Sequence, residues 1–123
     1  MGFQFENLVL NNYPQLIAPM RIGNAVIESA SPYRKASNDD GQPGLQIDLL
    51  IQTKRNAYIV EVKRRQKLGR EVISEVEKKI ARLGKLKNRS IRTVLVYSGE
   101  LSPIVETDGF FDSIISFRSL LGL

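Results

Sequence analysis

The chain contains no cysteine and no histidine among its 123 residues. Without cysteine there is no disulfide and no thiolate metal site. Without histidine, Ser-His-Asp triads, Cys-His pairs and histidine-bound zinc or iron are excluded. Any catalysis must therefore use carboxylates, lysine, arginine, tyrosine or hydroxyl groups. Any bound metal should be a hard ion held through oxygen, with Mg²⁺ or Mn²⁺ as the first candidates.

Long apolar runs are also missing. No stretch approaches the roughly 18–20 residues that span a bilayer, and the N-terminal sequence lacks the basic and apolar regions of a signal peptide. We therefore expect a cytoplasmic protein that does not cross a membrane. Its length and its hydrophobic fraction of 42% fit one globular domain over residues 1–123. Lysine and arginine number 18 against 13 acids, and this net charge of +5 suggests a polyanionic partner.

Hydrophobic periodicity predicts the element order α, β, β, β, α, β, β. One central sheet flanked by helices, an α/β fold, satisfies this order. The first helix starts almost at residue 1 and should end near Asn12, before Pro14; its abrupt start suggests a domain cut from a longer chain. The strands are predicted at Ala25–Ala30, Leu45–Gln52, Ala57–Lys63, Arg92–Ser98 and Ile114–Phe117, and the main helix at Arg70–Leu83.

Two acids and a lysine interrupt the apolar strands at Asp48, Glu61 and Lys63. Strand interiors disfavour aspartate, and a buried charge without a partner is costly. If Lys54-Arg55 forms a two-residue turn, Asp48 lies directly opposite Glu61, and Lys63 projects from the same face. Lys-Arg is a poor pair for such a turn, so a longer loop or a bulge is an alternative connection. A slip of one residue would turn Asp48 to the other face.

Two carboxylates so close together repel each other unless a cation lies between them. A divalent ion bound by Asp48, Glu61 and the main-chain carbonyl of Val62 would relieve that repulsion. Such an ion lowers the pKa of bound water and neutralises phosphate charge, which phosphodiester hydrolysis requires. Lys63 would orient or activate the attacking water, or stabilise the charged transition state. A plain cross-strand salt bridge is the alternative.

Asp48, followed after twelve residues by Glu61-Val62-Lys63, resembles the D…(D/E)-x-K signature of the PD-(D/E)XK nuclease superfamily. The resemblance implies a restriction-endonuclease-like αβββαβ core with a central mixed sheet flanked by helices. It also implies that Glu6 on the first helix is a further metal ligand, although an exposed helix carboxylate is an equal interpretation. Residues 44–51 together with 61–63 are similar to the nuclease-like domain at the C-terminus of certain prokaryotic AAA-type ATPases. This similarity implies a fused or associated ATPase.

Basic residues are concentrated after the lysine of this motif. Between Lys63 and Arg92 there are twelve lysines and arginines and three acids. Such a band either tracks a nucleic-acid backbone or serves as a solubilising surface. The candidate nucleic-acid contacts are Arg64, Arg65, Lys67 and Arg70, together with Tyr33, Arg34 and Lys35.

Three hypotheses follow. The first is an endonuclease domain that uses Mg²⁺ or Mn²⁺ to hydrolyse phosphodiester bonds in DNA. The second is a catalytically silent module of nuclease fold that binds nucleic acid or a partner protein. The third is a structural domain that serves a fused ATPase. The sequence does not determine the oligomeric state.

Overall fold

A computed structural model describes residues 7, 9, 11, 13–20, 22, 23, 25–37, 41, 44–84, 86 and 88–120. The helical elements are a 3₁₀ helix at Tyr13–Leu16, α1 at Ile17–Met20, α2 at Glu71–Leu83, α3 at Pro103–Asp108 and α4 at Phe117–Leu120. The strands are β1 at Ser29–Lys35, β2 at Leu45–Gln52, β3 at Asn56–Leu68, β4 at Ser90–Leu101 and β5 at Ser113–Ser116. No helix in the described part of the chain is long and apolar enough to cross a membrane.

The five strands form one mixed sheet in the order β1-β2-β3-β4-β5. The pairs β1–β2 and β2–β3 are antiparallel, which short connections allow. The pairs β3–β4 and β4–β5 are parallel, and α2 forms the crossover between β3 and β4. The predicted α/β architecture of a central mixed sheet flanked by helices is therefore confirmed.

The core lies on both faces of this sheet. On one face, the N-terminal helical segments contribute Leu16 and Met20 to a buried cluster with Leu49 and Val60. The other face is covered by α2, whose Val72, Ile73 and Val76 are buried. Helix α2 ends as the sequence predicts, because Gly84 has a positive φ of 78° and its N–H donates to the carbonyl of Ile80.

Several elements differ from the sequence prediction. The predicted end of the first helix, near Asn12, lies outside the described residues. Pro14 lies in the first turn of the 3₁₀ helix Tyr13–Leu16, where the missing N–H of proline breaks no helical hydrogen bond. The first strand is Ser29–Lys35, not Ala25–Ala30. It contains Pro32, which an edge strand tolerates because one side of its backbone needs no partner. Helix α3 begins at Pro103 and was not predicted.

Candidate active site

The hairpin of β2 and β3 has the predicted register. Leu49 pairs with Val60, and the N–H of Thr53 donates to the carbonyl of Asn56 over 2.9 Å. Only Lys54-Arg55 lies between those two residues. The N–H of Asn56 donates to the Thr53 hydroxyl over 3.2 Å, which closes a turn that lysine and arginine do not favour by themselves.

Asp48 lies in a β-bulge of β2. Against β1, Leu50 pairs with Ser31 and Ile47 pairs with Tyr33, so Asp48 and its neighbour Leu49 together face the single residue between those partners. An extra residue in one strand locally disrupts the ladder and redirects side chains. Bulges of this kind are enriched next to active sites.

The Asp48 carboxylate bonds to the backbone of the neighbouring strand. Its Oδ2 accepts a hydrogen bond of 2.9 Å from the N–H of Val62, and the residue is only 8% exposed. Continuing the hairpin register would place Val62 opposite Ile47, but regular β2–β3 pairing ends at Leu49 and Val60. A side-chain oxygen therefore accepts the Val62 N–H at the position where the two strands begin to separate.

Glu61 is the most deeply buried acid of the candidate site. Its side chain is 1% exposed, and both of its carboxylate oxygens lie 2.9 Å from Nζ of Lys79 on α2. Nζ of Lys63 lies 3.3 Å from Glu61 Oε1 and 3.0 Å from Glu75 Oε2. Burying a carboxylate is costly without partners, and here two ammonium groups compensate it. The structure thus brings Glu61 and Lys63 together beneath α2, not on a solvated sheet face.

Two rows of charged residues meet between β3 and α2, and we call them the charge stripe. The charged residues of β3 occupy every second position, which places them on one face of the strand. Those of α2 occupy every fourth position, which places them on one face of the helix. The row on β3 is Glu61, Lys63 and Arg65; the row on α2 is Glu71, Glu75 and Lys79. Their signs are complementary, and Nη2 of Arg65 donates to both oxygens of Glu75 over 3.0 and 3.1 Å.

Sequence reasoning missed Glu75 and Lys79. The sequence does contain a signal for them. Two acids and a lysine occupy every fourth position of the helix, and an acid, a lysine and an arginine occupy every second position of the strand, so the two rows have complementary charges. The apolar residues of α2, such as Val72 and Val76, indicate only the face of the helix that packs against the core.

The charge stripe shifts two pKa values. Burial lowers the pKa of Lys63, but the adjacent Glu61 carboxylate and the hydrogen bond to Glu75 outweigh burial, so the net pKa is raised. Burial raises the pKa of Glu75, but hydrogen bonds from Lys63 and Arg65 outweigh that effect and hold its pKa below the usual value. Both groups are therefore charged at neutral pH.

The predicted nucleic-acid contacts lie on β1 and β3, the two strands that flank β2, and in the turn after β3. Arg34 and Lys35 end β1 beside the first residues of β2, and Arg34 donates to Gln46 over 3.3 Å. Tyr33 is half-buried against the core. The exposed candidates on the β3 side are Arg64, Lys67 and Arg70. Arg65 differs from them because its guanidinium is engaged by Glu75.

A second bulge shapes the end of β3. Arg64 pairs with Ser98 and Lys67 pairs with Glu100, so two residues of β3 face the single Gly99 of β4. Gly99 has a φ of 125°, and a Cβ there would overlap the backbone carbonyl of Arg65. This close approach explains why the position is glycine.

The donor chemistry of the candidate site suits a hard divalent cation. The carboxylates of Asp48 and Glu61 and the carbonyl of Val62 are oxygen ligands of the kind that Mg²⁺ and Mn²⁺ prefer. Within the described ranges, no group of three or more acidic, histidine or cysteine side chains is arranged to hold a metal. Water and substrate oxygens would therefore have to complete the shell, as is usual for Mg²⁺. Glu6, the other predicted ligand, lies outside the described residues.

The sheet and its flanking helices define a restriction-endonuclease-like α/β fold. The chain is similar to the crystal structure of a repair endonuclease from Pyrococcus abyssi, with a TM-score of 0.52 and 19% sequence identity. The match covers 94% of this chain and 45% of that endonuclease chain, so this chain spans less than half of its length. No protein-family model matches the sequence. No curated protein gives a significant match either.

Proposed function

We propose that this chain is a nuclease domain that hydrolyses phosphodiester bonds of DNA with Mg²⁺ or Mn²⁺. The observation that carries the proposal is the buried Asp48 at the bulge of β2, which accepts a hydrogen bond from the Val62 N–H within Glu61-Val62-Lys63. The nuclease-like fold supports the reaction class, because a repair endonuclease has the same fold. Asp48, Glu61 and the Val62 carbonyl would hold the ion. A bound ion lowers the pKa of its water and neutralises phosphate charge.

Lys63 has the role of a charge-stabilising group in this proposal. Its Nζ lies 3.3 Å from Glu61 Oε1 and 3.0 Å from Glu75 Oε2, so it is held beside the proposed metal ligand. An ammonium group there would donate hydrogen bonds and stabilise negative charge on a phosphate. We therefore assign Lys63 first to the charged transition state.

The DNA backbone would lie across the opening between β2 and β3. Exposed basic side chains stand on both sides of it, with Arg34 and Lys35 on one side and Arg64 and Lys67 on the other. Contacts of this kind to phosphates give binding that is largely independent of sequence and weakens as salt rises. Arg70 is a further candidate for the same contact. Tyr33 and Arg65 have less freedom, since one packs against the core and the other binds Glu75.

Cleavage of supercoiled plasmid DNA with Mg²⁺ or Mn²⁺ tests the proposal. We expect divalent-dependent nicking by the parent chain, and a loss of at least about 100-fold in Asp48→Asn, Glu61→Gln and Lys63→Met. Glu106→Gln is the matched control, because Glu106 is an exposed carboxylate on α3, outside the charge stripe. Equal cleavage by the parent and the three site variants would mean that the activity lies elsewhere in the chain or in a contaminant.

A silent binding module is the second candidate, and one observation favours it. Lys79 already bonds to both oxygens of Glu61, so the charge of this acid is compensated without a metal. Such a module would bind DNA with a steep salt dependence and would not hydrolyse it at any metal concentration. The plasmid assay combined with a binding titration separates the two functions.

Membership of the PD-(D/E)XK superfamily and the link to an AAA-type ATPase stay predictions from the sequence motif. The same holds for the assignment of residues 1–123 as one domain of a longer ATPase and for the cytoplasmic location. Expression with a candidate ATPase from the same genome and co-purification would test the partnership.

A further inference from the structure

One cation in the candidate site has no part in the proposed chemistry. Nζ of Lys79 lies 2.9 Å from each oxygen of Glu61, closer than the 3.3 Å that separates Lys63 from the same carboxylate. Lys79 comes from α2, eighteen residues away along the chain. Its side chain is 23% exposed, whereas that of Glu61 is 1% exposed. Lys79 therefore sits between a buried acid and solvent.

The position of Lys79 conflicts with a divalent ion on Glu61. Both oxygens of Glu61 already accept hydrogen bonds from Lys79, so a divalent ion on this carboxylate would lie close to the ammonium group. Two cations that close repel each other strongly in a partly buried site. Lysine is a compact charge on a flexible four-carbon stem, so its ammonium can withdraw without movement of the helix backbone. The ammonium of Lys79 and a divalent ion would therefore compete for the Glu61 carboxylate.

Helix α2 offers the withdrawn lysine another partner. Glu75 lies four residues before Lys79 on the same face of α2, in the orientation that favours a helical ion pair. Glu75 is 36% exposed and keeps its negative charge, because hydrogen bonds from Lys63 and Arg65 hold its pKa low in spite of burial. Lys79 can thus leave Glu61 without losing all ionic contact.

We propose that Lys79 is a positioning residue that holds Glu61 in the metal-free protein and competes with the divalent cation for this carboxylate. This inference rests on the proposed function, because it takes Glu61 as a metal ligand. The two lysines on Glu61 would then have opposite roles. Lys79 weakens metal binding, whereas Lys63 assists the reaction. The metal affinity of the site is accordingly lower than its oxygen ligands alone would give.

Titration with Mn²⁺ alone, followed by electron paramagnetic resonance of the free ion, tests the competition. We expect Lys79→Met to bind Mn²⁺ about tenfold more tightly than the parent, because one adjacent positive charge is gone. Lys79→Arg keeps a cation on Glu61 and should bind as weakly as the parent. Lys78→Met is the matched control, since Lys78 is the exposed neighbour on the same helix. Equal or weaker binding by Lys79→Met overturns the proposal.

A second variant and a second measurement test the proposal even if Lys79→Met does not fold. Lys79→Gln retains a hydrogen-bond donor for Glu61 without the charge, and it should show the same direction of change if the methionine variant fails to fold. In the parent chain, saturating Mn²⁺ should raise the reactivity of Lys79 towards an amine-acylating reagent several-fold relative to Lys78, as measured by peptide mass spectrometry. Unchanged Lys79 reactivity in the Mn²⁺-loaded parent contradicts displacement.

Failure of this inference and failure of the proposed function give different results. If the parent and Lys79→Met bind Mn²⁺ equally and the parent cleaves DNA, the competition is wrong and the nuclease stands. If Lys79→Met binds more tightly but no form cleaves DNA, the competition stands and the activity is wrong. If no variant binds Mn²⁺, both proposals fall.

Discussion

Replacing Asp48 by alanine and by asparagine should have different effects on stability. Asp48 accepts the hydrogen bond of the Val62 N–H over 2.9 Å, in a part of the sheet where the regular ladder has ended. Alanine leaves that buried donor without its acceptor, which costs about 1–3 kcal/mol. For a domain of this size, the loss corresponds to a fall of roughly 4–12 °C in Tm. The amide oxygen of asparagine can still accept the bond, so Asp48→Asn should cost under about 1 kcal/mol.

The same pair of variants separates the structural part of Asp48 from its proposed role on the metal. Both substitutions remove the negative charge, so both should abolish divalent-dependent cleavage, although only alanine lowers Tm substantially. Differential scanning calorimetry and the plasmid assay together give the two readouts. If Asp48→Asn melts as low as Asp48→Ala, the hydrogen bond from Val62 is not what stabilises this position.

Two further predictions concern the surroundings of the site. Gly99→Ala should destabilise the fold by about 3 kcal/mol or more, because the new Cβ overlaps the Arg65 carbonyl at a positive φ. Gly109→Ala, at a positive φ with open space around it, should cost only about 1 kcal/mol. Urea titration of both variants measures the two costs, and equal free energies of unfolding for Gly99→Ala and Gly109→Ala would refute the steric explanation. The lowered pKa of Glu75 implies stability that is present above the ordinary glutamate value of 4.5 and is lost as the pH falls through the folded value. Glu75→Gln should therefore be less stable than the parent by under about 1 kcal/mol at neutral pH, and the difference should vanish in acid; a difference that persists in acid would contradict the ionic origin.

The hairpin was predictable because its determinants are local. The strand bounds Leu45–Gln52 agree with the structure, and the two-residue connection fixed the pairing of the following strand. Once the element order was known, a helix between β3 and β4 required a parallel crossover, and this led to the correct fold class.

The remaining features depend on contacts between distant parts of the chain. The bulge at Asp48 exists only against β1, and the bulge facing Gly99 exists only against β4, so no pattern within β2 or β3 reveals either of them. The pairing of Glu61 with Lys79 joins two elements across eighteen residues and depends on how α2 lies over the sheet. Strand β3 also continues to Leu68 through polar residues, because β4 pairs with it there.

The acidic and basic side chains of the charge stripe neutralise one another, and this affects how the domain can fold. Where several carboxylates bind one metal ion, their mutual repulsion destabilises the metal-free protein. Here lysines and acids from one strand and one helix already offset one another. Folding of this strand and helix against each other therefore does not require a metal ion to neutralise their charges.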